Sequence, residues 1–547
     1  MLSRRILVPV PTTGVITRHT GKYPTVYHVD ATFRNAKGQP TNTRTSIGRL
    51  DEATGMLVPN DAYWRYYPDE PATALAAPPT LDSVLSTGVG FLTHQVASSL
   101  GVDRMLASAL GEQRAGLVET SATYMFARGN AMDEIGSFCD EQLLATPQVS
   151  DQHTSELFAS ISHAERMRFF RSWAHAQPTG SYYAYDVTSF SSYASGIRDT
   201  EWGYNRDREK LPQINLGCYV NQTTGLPVFY LTYPGSIVDV SHQDSMMAFN
   251  ADLGVTDAVF VMDQGFCSTH NIQSMHDKHL GVIIRAGIKH KATRMALDQV
   301  RDDLVTLRHR LPQGVYATSV HARFYGITAT LHVYHDRLLA ERQNADLDRM
   351  VSSIQDRLAQ LRTLSRKDAA RYSAYFSIDL HQDGSFTYQK DWDKIEAAAL
   401  NHGYFTILTT TSLDAEATLS VYRRKDIIEK SFDEVKNHLD MHRMRTHLTE
   451  TTDGKLFTAF VALILLSHIQ TSLRDLMKAH SWSKHSIIHE LDKIRVVTTT
   501  DGARLMSPLT KNQRAILKAF GFTPEDITTY IRSLSTPSRM CSKPEGI

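Results

Sequence analysis

Hydrophobic and polar residues alternate along positions 20–60, with turn signals at Asn35–Gly38 and near Gly55, and this two-residue period predicts a small β-rich unit. The Pro-rich stretch Pro68–Pro79 reads as a linker. From about 81 to 177 the apolar positions recur at helical spacing, broken at Gly101, Gly111 and Gly129. The pattern changes again at 181. SYYAYDVTSF, INLGCYVN and PVFYLTYPG predict strands, the last two joined by the turn Gln222-Thr223-Thr224-Gly225. A helix over about 242–253, the apolar strand AVFVMDQGF ending in Asp263, a helix opening at Ser268 and the strand GVIIRAG follow. Residues 288–403 interrupt this alternation with strands in HARFYGITATLHVYH and a charged helix over about 336–370, and YFTILTTT closes the interruption. Residues 414–440 read as one long helix, the rest to about 530 as mainly helical, and STPSRMCSKPEGI as a disordered tail. The most apolar stretch, FTAFVALILLSHI, is too short to span a bilayer and predicts a buried helix.

Length and composition narrow the class. At roughly 150 residues per domain, 547 residues predict three or four domains. A hydrophobic content of 42% with 21% charged residues excludes a mostly disordered chain. Cys139, Cys218, Cys267 and Cys541 form no Cys-x-x-Cys pair, so neither a cysteine zinc site nor a disulfide framework is expected. MLSRRILVPVPTTG lacks the apolar core of a signal peptide, which predicts a cytoplasmic protein with no membrane partner. The formal charge is zero but unevenly spread. Residues 1–50 hold Arg4, Arg5, Arg18, Lys22, Arg34, Lys37, Arg44 and Arg49 against Asp30, whereas residues 51–120 carry nine acids and three bases. Tyr23, Tyr27 and Phe33 are interleaved with the bases, a pattern shared by nucleic-acid surfaces and by solvated basic hairpins.

The order β-β-β-α-β-α-β, a meander followed by parallel strands, is that of a ribonuclease-H-like core. Two acids stand out in it. Asp186 lies inside a strand of aromatic and β-branched residues, where an acid is disfavoured without a reason, and Asp263 lies at a strand C-terminus, where α/β sheets gather their ligand sites. The third candidate is in VYRRKDIIEKSFDEVKNHLD. At about 100° per residue, Tyr422, Lys425, Glu429 and Lys436 share one helix face, beside an apolar stripe of Ile428, Phe432, Val435 and Leu439. Three converging carboxylates suit hard Mg²⁺ ions, two of which, about 4 Å apart, activate a nucleophile and stabilise the leaving oxygen of a phosphodiester. Flanking cations and aromatics hold the DNA backbone. An amphipathic helix with a Lys425–Glu429 pair is the structural alternative.

At these residues the chain resembles the DDE transposases of bacterial insertion sequences, in the group with a long insertion before the glutamate and a Tyr-x2-Arg-x3-Glu-x6-Lys helix signature. Tyr422, Glu429 and Lys436 match in register, while the Arg position is Lys425, with Arg424 adjacent. YDVTSF, LPQINLGCYVNQTTGLPVFYLTYPGSIVD and VMDQGFCSTHNI extend the resemblance from about 180 to 450. It implies an α/β fold: a ribonuclease-H-like catalytic core interrupted by a mixed α+β insertion, with an N-terminal β-rich module and helical flanks. The expected domains are a basic DNA-binding module (1–75), a helical end-binding region (80–177), the first part of the core (180–287), the insertion (288–412), the second part of the core (413–450) and a C-terminal helical region (451–547). It also implies that Asp186, Asp263 and Glu429 bind two Mg²⁺ ions, with Mn²⁺ able to substitute. Water frees a 3′-OH at the element's terminal inverted repeats, and that hydroxyl attacks target DNA. The expected DNA contacts are Tyr422, Arg424, Lys425 and Lys436, with Arg285, Lys289 and Lys291 at the start of the insertion. Arg294, Arg301, Arg308 and Arg310 continue that basic run. A homodimer on paired ends is expected. The rival readings are a metal-dependent endonuclease of the same fold that does not join strands, and a decayed DNA-binding repressor.

Weaker candidates are Asp239, His242 and Asp244 in GSIVDVSHQD, with helix capping near Ser241 the plainer role for Asp239, and Gln264 and His270 behind Asp263. Trp392 is expected to pack rather than to stack on a base.

Overall fold

The computed structural model describes residues 7–19, 24–68, 81–146, 149–194, 196–203, 210–237, 239–255 and 257–534. Residues 69–80 of the expected linker, the tail, and Arg4, Arg5, Lys22 and Tyr23 lie outside them. By internal contacts the chain divides into two units, Met1–Val84 with Val496–Ser507, and Leu85–Arg495 with Pro508–Ile547.

In the first unit β1 (Val15–Arg18), β2 (Thr25–Arg34), β3 (Pro40–Asp51) and β4 (Met56–Pro59) form an antiparallel sheet in chain order. The alternating pattern puts Val26, Ile47 and Leu57 on one face, where they close over Val8 and Tyr63. The β2–β3 turn sits at Asn35–Gly38. Asn35 Oδ1 accepts from the Lys37 and Gln39 amides, and Phe33, Arg34 and Lys37 are exposed at the tip.

β5 (Leu81–Ser86) runs from the end of the first unit into the second, where helices Gly88–Leu100, Val102–Leu110 and Glu112–Arg128 end at Gly101, Gly111 and Gly129. All three glycines take positive φ, which is why the helical pattern breaks there. The centre is an eight-stranded sheet of β6 (Tyr182–Ser191), β7 (Gln213–Asn221), β8 (Pro227–Pro234), β9 (Val259–Met262), β10 (Gly281–Ala286), β11 (Val315–Phe324), β12 (Ile327–Asp336) and β15 (Tyr404–Thr409), in the order β11-β12-β15-β10-β9-β6-β7-β8. Strands β6, β9 and β10 are parallel, and their neighbours on both sides are antiparallel.

Three expectations change. The stretch expected as an insertion over 288–412 contributes β11, β12 and β15 to the same sheet as β6–β10. Only residues between β12 and β15 stand apart, as helices Arg337–Gln360, Arg366–Tyr372 and Trp392–Ala399 with the hairpin β13 (Phe376–Leu380) and β14 (Phe386–Lys390). They close over their own core of Leu347, Val351, Leu358, Tyr372, Phe376 and Ile395. The long helix expected over 414–440 is broken into Ala415–Arg423, Asp426–Asp433 and a π-turn at Glu434–His438. Leu419 and Val421 anchor the first piece against Val261, Ile283 and Ile407 of the sheet. The apolar stretch near 460 belongs to a 32-residue helix, Thr449–His480, long and apolar enough by length and composition to cross a membrane, but 78% of its apolar window is buried inside the protein. β16 (Arg495–Thr499) and β17 (Arg504–Met506), which fall almost wholly in the first unit, pair antiparallel within the mainly helical C-terminal stretch.

Gly454 marks a close crossing. A Cβ built there would lie on the Phe158 carbonyl of helix Asp151–Ser160. Gly454→Ala is expected to destabilise the second unit by about 1–3 kcal/mol, read as a lower denaturant midpoint.

Candidate active site

Asp186 and Asp263 come to one level because β6 and β9 run parallel with Tyr182 opposite Val259 and Ala184 opposite Val261. Carrying that offset forward sets Asp186 beside Asp263, on strands about 4.8 Å apart. Asp186 Oδ1 accepts from the Val187 amide at 2.8 Å. Asp263 stands one residue beyond the end of β9, with its side chain half exposed.

The broken helix supplies the rest. Tyr422, on the last turn of Ala415–Arg423, donates its hydroxyl to Asp263 Oδ1 at 2.9 Å. Burial, with the Asp263 carboxylate, pushes the Tyr422 phenol pKa up, so the hydroxyl stays a donor. Lys425 lies in the break between the helices, and its side chain is only 6% exposed. Its Nζ is 3.2 Å from Asp263 Oδ2 and 3.2 Å from Glu429 Oε1, so the two carboxylate oxygens are no more than twice that distance apart. Burial works against the ammonium, but the Asp263 and Asp186 carboxylates outweigh it and hold the Lys425 pKa above its ordinary value. The expected face of Tyr422, Lys425 and Glu429 therefore forms, although through a helix break rather than a straight helix. Lys436, in the π-turn, is buried rather than turned to solvent.

Lys425 differs most from expectation. A DNA-backbone contact was expected of it; its ammonium is the counter-ion of Asp263 and Glu429. The i,i+4 spacing signals the Lys425–Glu429 half of this pairing, but no periodicity signals the Asp263 half, which spans a 162-residue separation. The donor chemistry fits a hard cation, because carboxylate oxygens surround a positive charge on flexible, half-exposed side chains. Among the described residues no three His, Cys, Asp or Glu side chains yet close on one point.

Of the expected basic contacts, Arg285 lies over the Phe405 ring at 5.7 Å and close enough to Tyr422 to influence its hydroxyl. Arg424, Lys289 and Lys291 are exposed. Arg301 is tied to the Leu400 carbonyl and Asn401, which braces the fold, and Arg308 forms an exposed ion pair with Asp303. Gln264 and His270 are exposed. Asp239 begins helix Asp239–Leu253, but the side chains of Asp239, His242 and Asp244 lie outside the described residues. Trp392 is 61% exposed, not packed, with Lys390 Nζ 5.5 Å from its ring centroid.

Glu434 was not singled out by the sequence. It opens the π-turn, accepts from Ser467 Oγ at 3.0 Å, and burial raises its pKa to about 7. The folded protein thus keeps this proton up to about pH 7, whereas the unfolded chain releases it near 4.5, so stability declines as pH rises between those values. Glu434→Gln should remove that decline, worth on the order of 2–3 kcal/mol, in denaturant midpoints measured from pH 5 to pH 8.

Comparison with known proteins follows this geometry. Residues 177–465 match the family described as Transposase DDE domain. No curated protein matches. Among solved structures the chain is similar to the cryo-EM structure of piggyBac transposase synaptic complex with hairpin DNA, at 9% identity over 84% of this chain and 85% of that one, with a TM-score of 0.37. The family match spans more than half of the chain and contains Asp186, Asp263, Tyr422, Lys425 and Glu429: the protein belongs to the Transposase DDE domain family.

Proposed function

We propose that the protein is the transposase of an insertion sequence, cutting DNA at the element's terminal inverted repeats and joining the freed 3′-OH to target DNA. The observation that carries this reading is the gathering of Asp263 and Glu429 around the Lys425 ammonium, with Asp186 level with Asp263 on the adjacent parallel strand. The core is read as ribonuclease-H-like: the antiparallel meander β6-β7-β8 followed by parallel β9 and β10 supports this. Lys425 and Tyr422 stand in the Tyr-Arg-Glu-Lys signature, with Lys in place of Arg.

Asp186, Asp263 and Glu429 would hold two Mg²⁺ ions, or Mn²⁺. When bound, the ions would lower the pKa of the attacking water and neutralise charge at the leaving oxygen. The strands β6 and β9 set the spacing of two acids, and Glu429, on the helix that follows the break, would be the third. Tyr422 orients Asp263 through its hydrogen bond, and Lys425 balances the acids' charge. Arg285, Arg424, Lys289 and Lys291 are read as contacts to phosphates, which fix position rather than read sequence. The module 1–75, with exposed Phe33, Arg34 and Lys37, and the helical region 80–177 are assigned to recognition of the ends. A homodimer on paired ends, working in the cytoplasm, completes the proposal.

The test is an incubation in Mg²⁺ with linear DNA carrying the sequences that flank the coding region and a target plasmid. A transposase yields joined products. Cutting without joining would favour an endonuclease, and end binding without nicking a repressor.

A further inference from the structure

Parallel strands place Asp186 and Asp263, but Glu429 stands on a helix, and its position depends on how residues 426–444 are anchored at their two ends. The near end is held at the acids, where Tyr422 and Lys425 donate to Asp263. The far end returns to β6. The Ser191 amide donates to the His442 carbonyl at 3.2 Å, and the Met444 amide donates to the Ser191 carbonyl at 3.3 Å. The chain there runs parallel to β6, with Arg443 opposite Ser191, the last residue of the strand. These bonds use the edge of β6 away from β7, where β9 pairs with Tyr182–Ala184. Asp186 lies between the two pairings, so the stretch that carries Glu429 spans from Asp263 to the end of the strand that carries Asp186.

Two buried side chains from distant elements clasp that far end. Asn130, just beyond helix Glu112–Arg128, donates its Nδ2 to the Asp440 carbonyl at 2.6 Å and to the Arg443 carbonyl at 3.1 Å. Its Oδ1 accepts from Lys455 Nζ at 3.0 Å, and the same Nζ donates to the Met444 carbonyl at 3.0 Å. Lys455, on helix Thr449–His480, is only 2% exposed. Three backbone carbonyls of one short loop are thus satisfied by one carboxamide and one amine. Asp440 and Arg445, at the ends of the loop, take φ of +56° and +49°, a left-handed conformation that residues other than glycine keep where their surroundings hold them in it. Gly129 permits the close approach, because a Cβ there would lie 3.2 Å from Asp440 Cβ. Burial, with Arg445 nearby, lowers the Lys455 pKa to about 7, against the opposing pull of Asp440 and Asp133. A neutral amine still carries two N–H donors, enough for its two acceptors.

We propose that Asn130 and Lys455 are positioning residues for Glu429: by locking Asp440–Met444 onto the end of β6, they fix the helix of the third acid relative to the two strand acids. Both act through the backbone of the loop rather than on the acids. Ile428, Leu439 and Met441, between the helix and the loop, are fully buried, and close packing carries a displacement of the loop to the helix. The inference rests on the reading of Asp186, Asp263 and Glu429 as the metal-binding acids of a DNA-cutting enzyme.

The experiment compares three full-length variants with the wild type. Lys455→Met keeps most of the side chain without its amine. Asn130→Asp keeps an acceptor for Lys455 but loses the donor to the loop. Thr93→Val breaks the buried Thr93–Thr123 hydroxyl pair elsewhere in the same unit and serves as a control for lost stability alone. Each is measured for its unfolding midpoint, for Mn²⁺ affinity by electron paramagnetic resonance of the free ion, and for the Mg²⁺ concentration giving half-maximal cleavage of the flanking DNA, well below the midpoints. Both clasp variants are expected to weaken Mn²⁺ binding and raise the Mg²⁺ requirement by about tenfold, the lower end of the range for groups that orient metal ligands. Thr93→Val is expected to lose stability with both metal readouts unchanged. Wild-type metal readouts in folded clasp variants would overturn the proposal, as would an equal weakening in Thr93→Val. Failure of both clasp variants to fold would overturn it too, by making the clasp a purely structural device. If wild-type protein neither binds Mn²⁺ nor cuts DNA, the reading beneath the proposal falls instead.

Discussion

Asp186→Asn, Asp263→Asn and Glu429→Gln are each expected to lower DNA strand cleavage by about a thousandfold or more, a barrier increase of about 4 kcal/mol, while leaving binding of DNA ends within a few fold. Each change keeps the shape of the side chain and removes its charge. The three acids do not play the same structural part. Asp186 is embedded in a strand, whereas Asp263 and Glu429 are half exposed or more and reach Lys425 from two elements. Asp263→Asn keeps one acceptor oxygen and turns the other into a donor, so Tyr422 and Lys425 no longer each find an acceptor there, and that variant should show the larger structural response. Cleavage in Mg²⁺ and end binding by mobility shift, run on the same preparations, separate chemistry from recognition. A variant that still cuts at the wild-type rate takes its residue out of the site.

Lys425→Gln should destabilise the metal-free protein by about 1–3 kcal/mol, below the usual range for breaking a buried ion pair because both acid partners are largely exposed. The same substitution should strengthen Mn²⁺ binding. A divalent ion and the ammonium compete for Asp263 and Glu429, so removing the ammonium removes the competitor. Stabilisation by ligand follows RT ln(1 + [L]/Kd), and added Mn²⁺ should therefore raise the unfolding midpoint of Lys425→Gln more than that of the wild type. Lys425→Arg keeps the charge and should retain most of the metal-free stability, although its planar fork cannot reproduce the compact contact of an ammonium with two acids. Equal stability of Lys425→Gln and wild type without metal would show that the ammonium does not hold the acids together.

Much of the fold is legible in the residue pattern because strands, turns and helix ends are local. SYYAYDVTSF and INLGCYVN form strands where their β-branched and aromatic residues place them, and Gly101, Gly111 and Gly129 end helices because each takes a positive φ. The helix over 414–440 reads as continuous because periodicity does not register a break whose cause is tertiary. Leu419 and Val421 dock on the sheet, and Lys425 turns inward toward acids from distant parts of the chain. The insertion reads as separate for a related reason: a strand's own residues do not reveal its neighbour, and β11, β12 and β15 find theirs in the core sheet.

The residues themselves determine which acids are available, their chemistry and the elements that carry them, since these follow from side-chain type and nearest-neighbour spacing. Tertiary structure alone decides that the Lys425 ammonium lies between Asp263 and Glu429 and that Lys436 is buried. Those outcomes depend on contacts between segments far apart in the chain, and burial and Coulomb energy, unlike hydrophobic period, are set only when such segments meet.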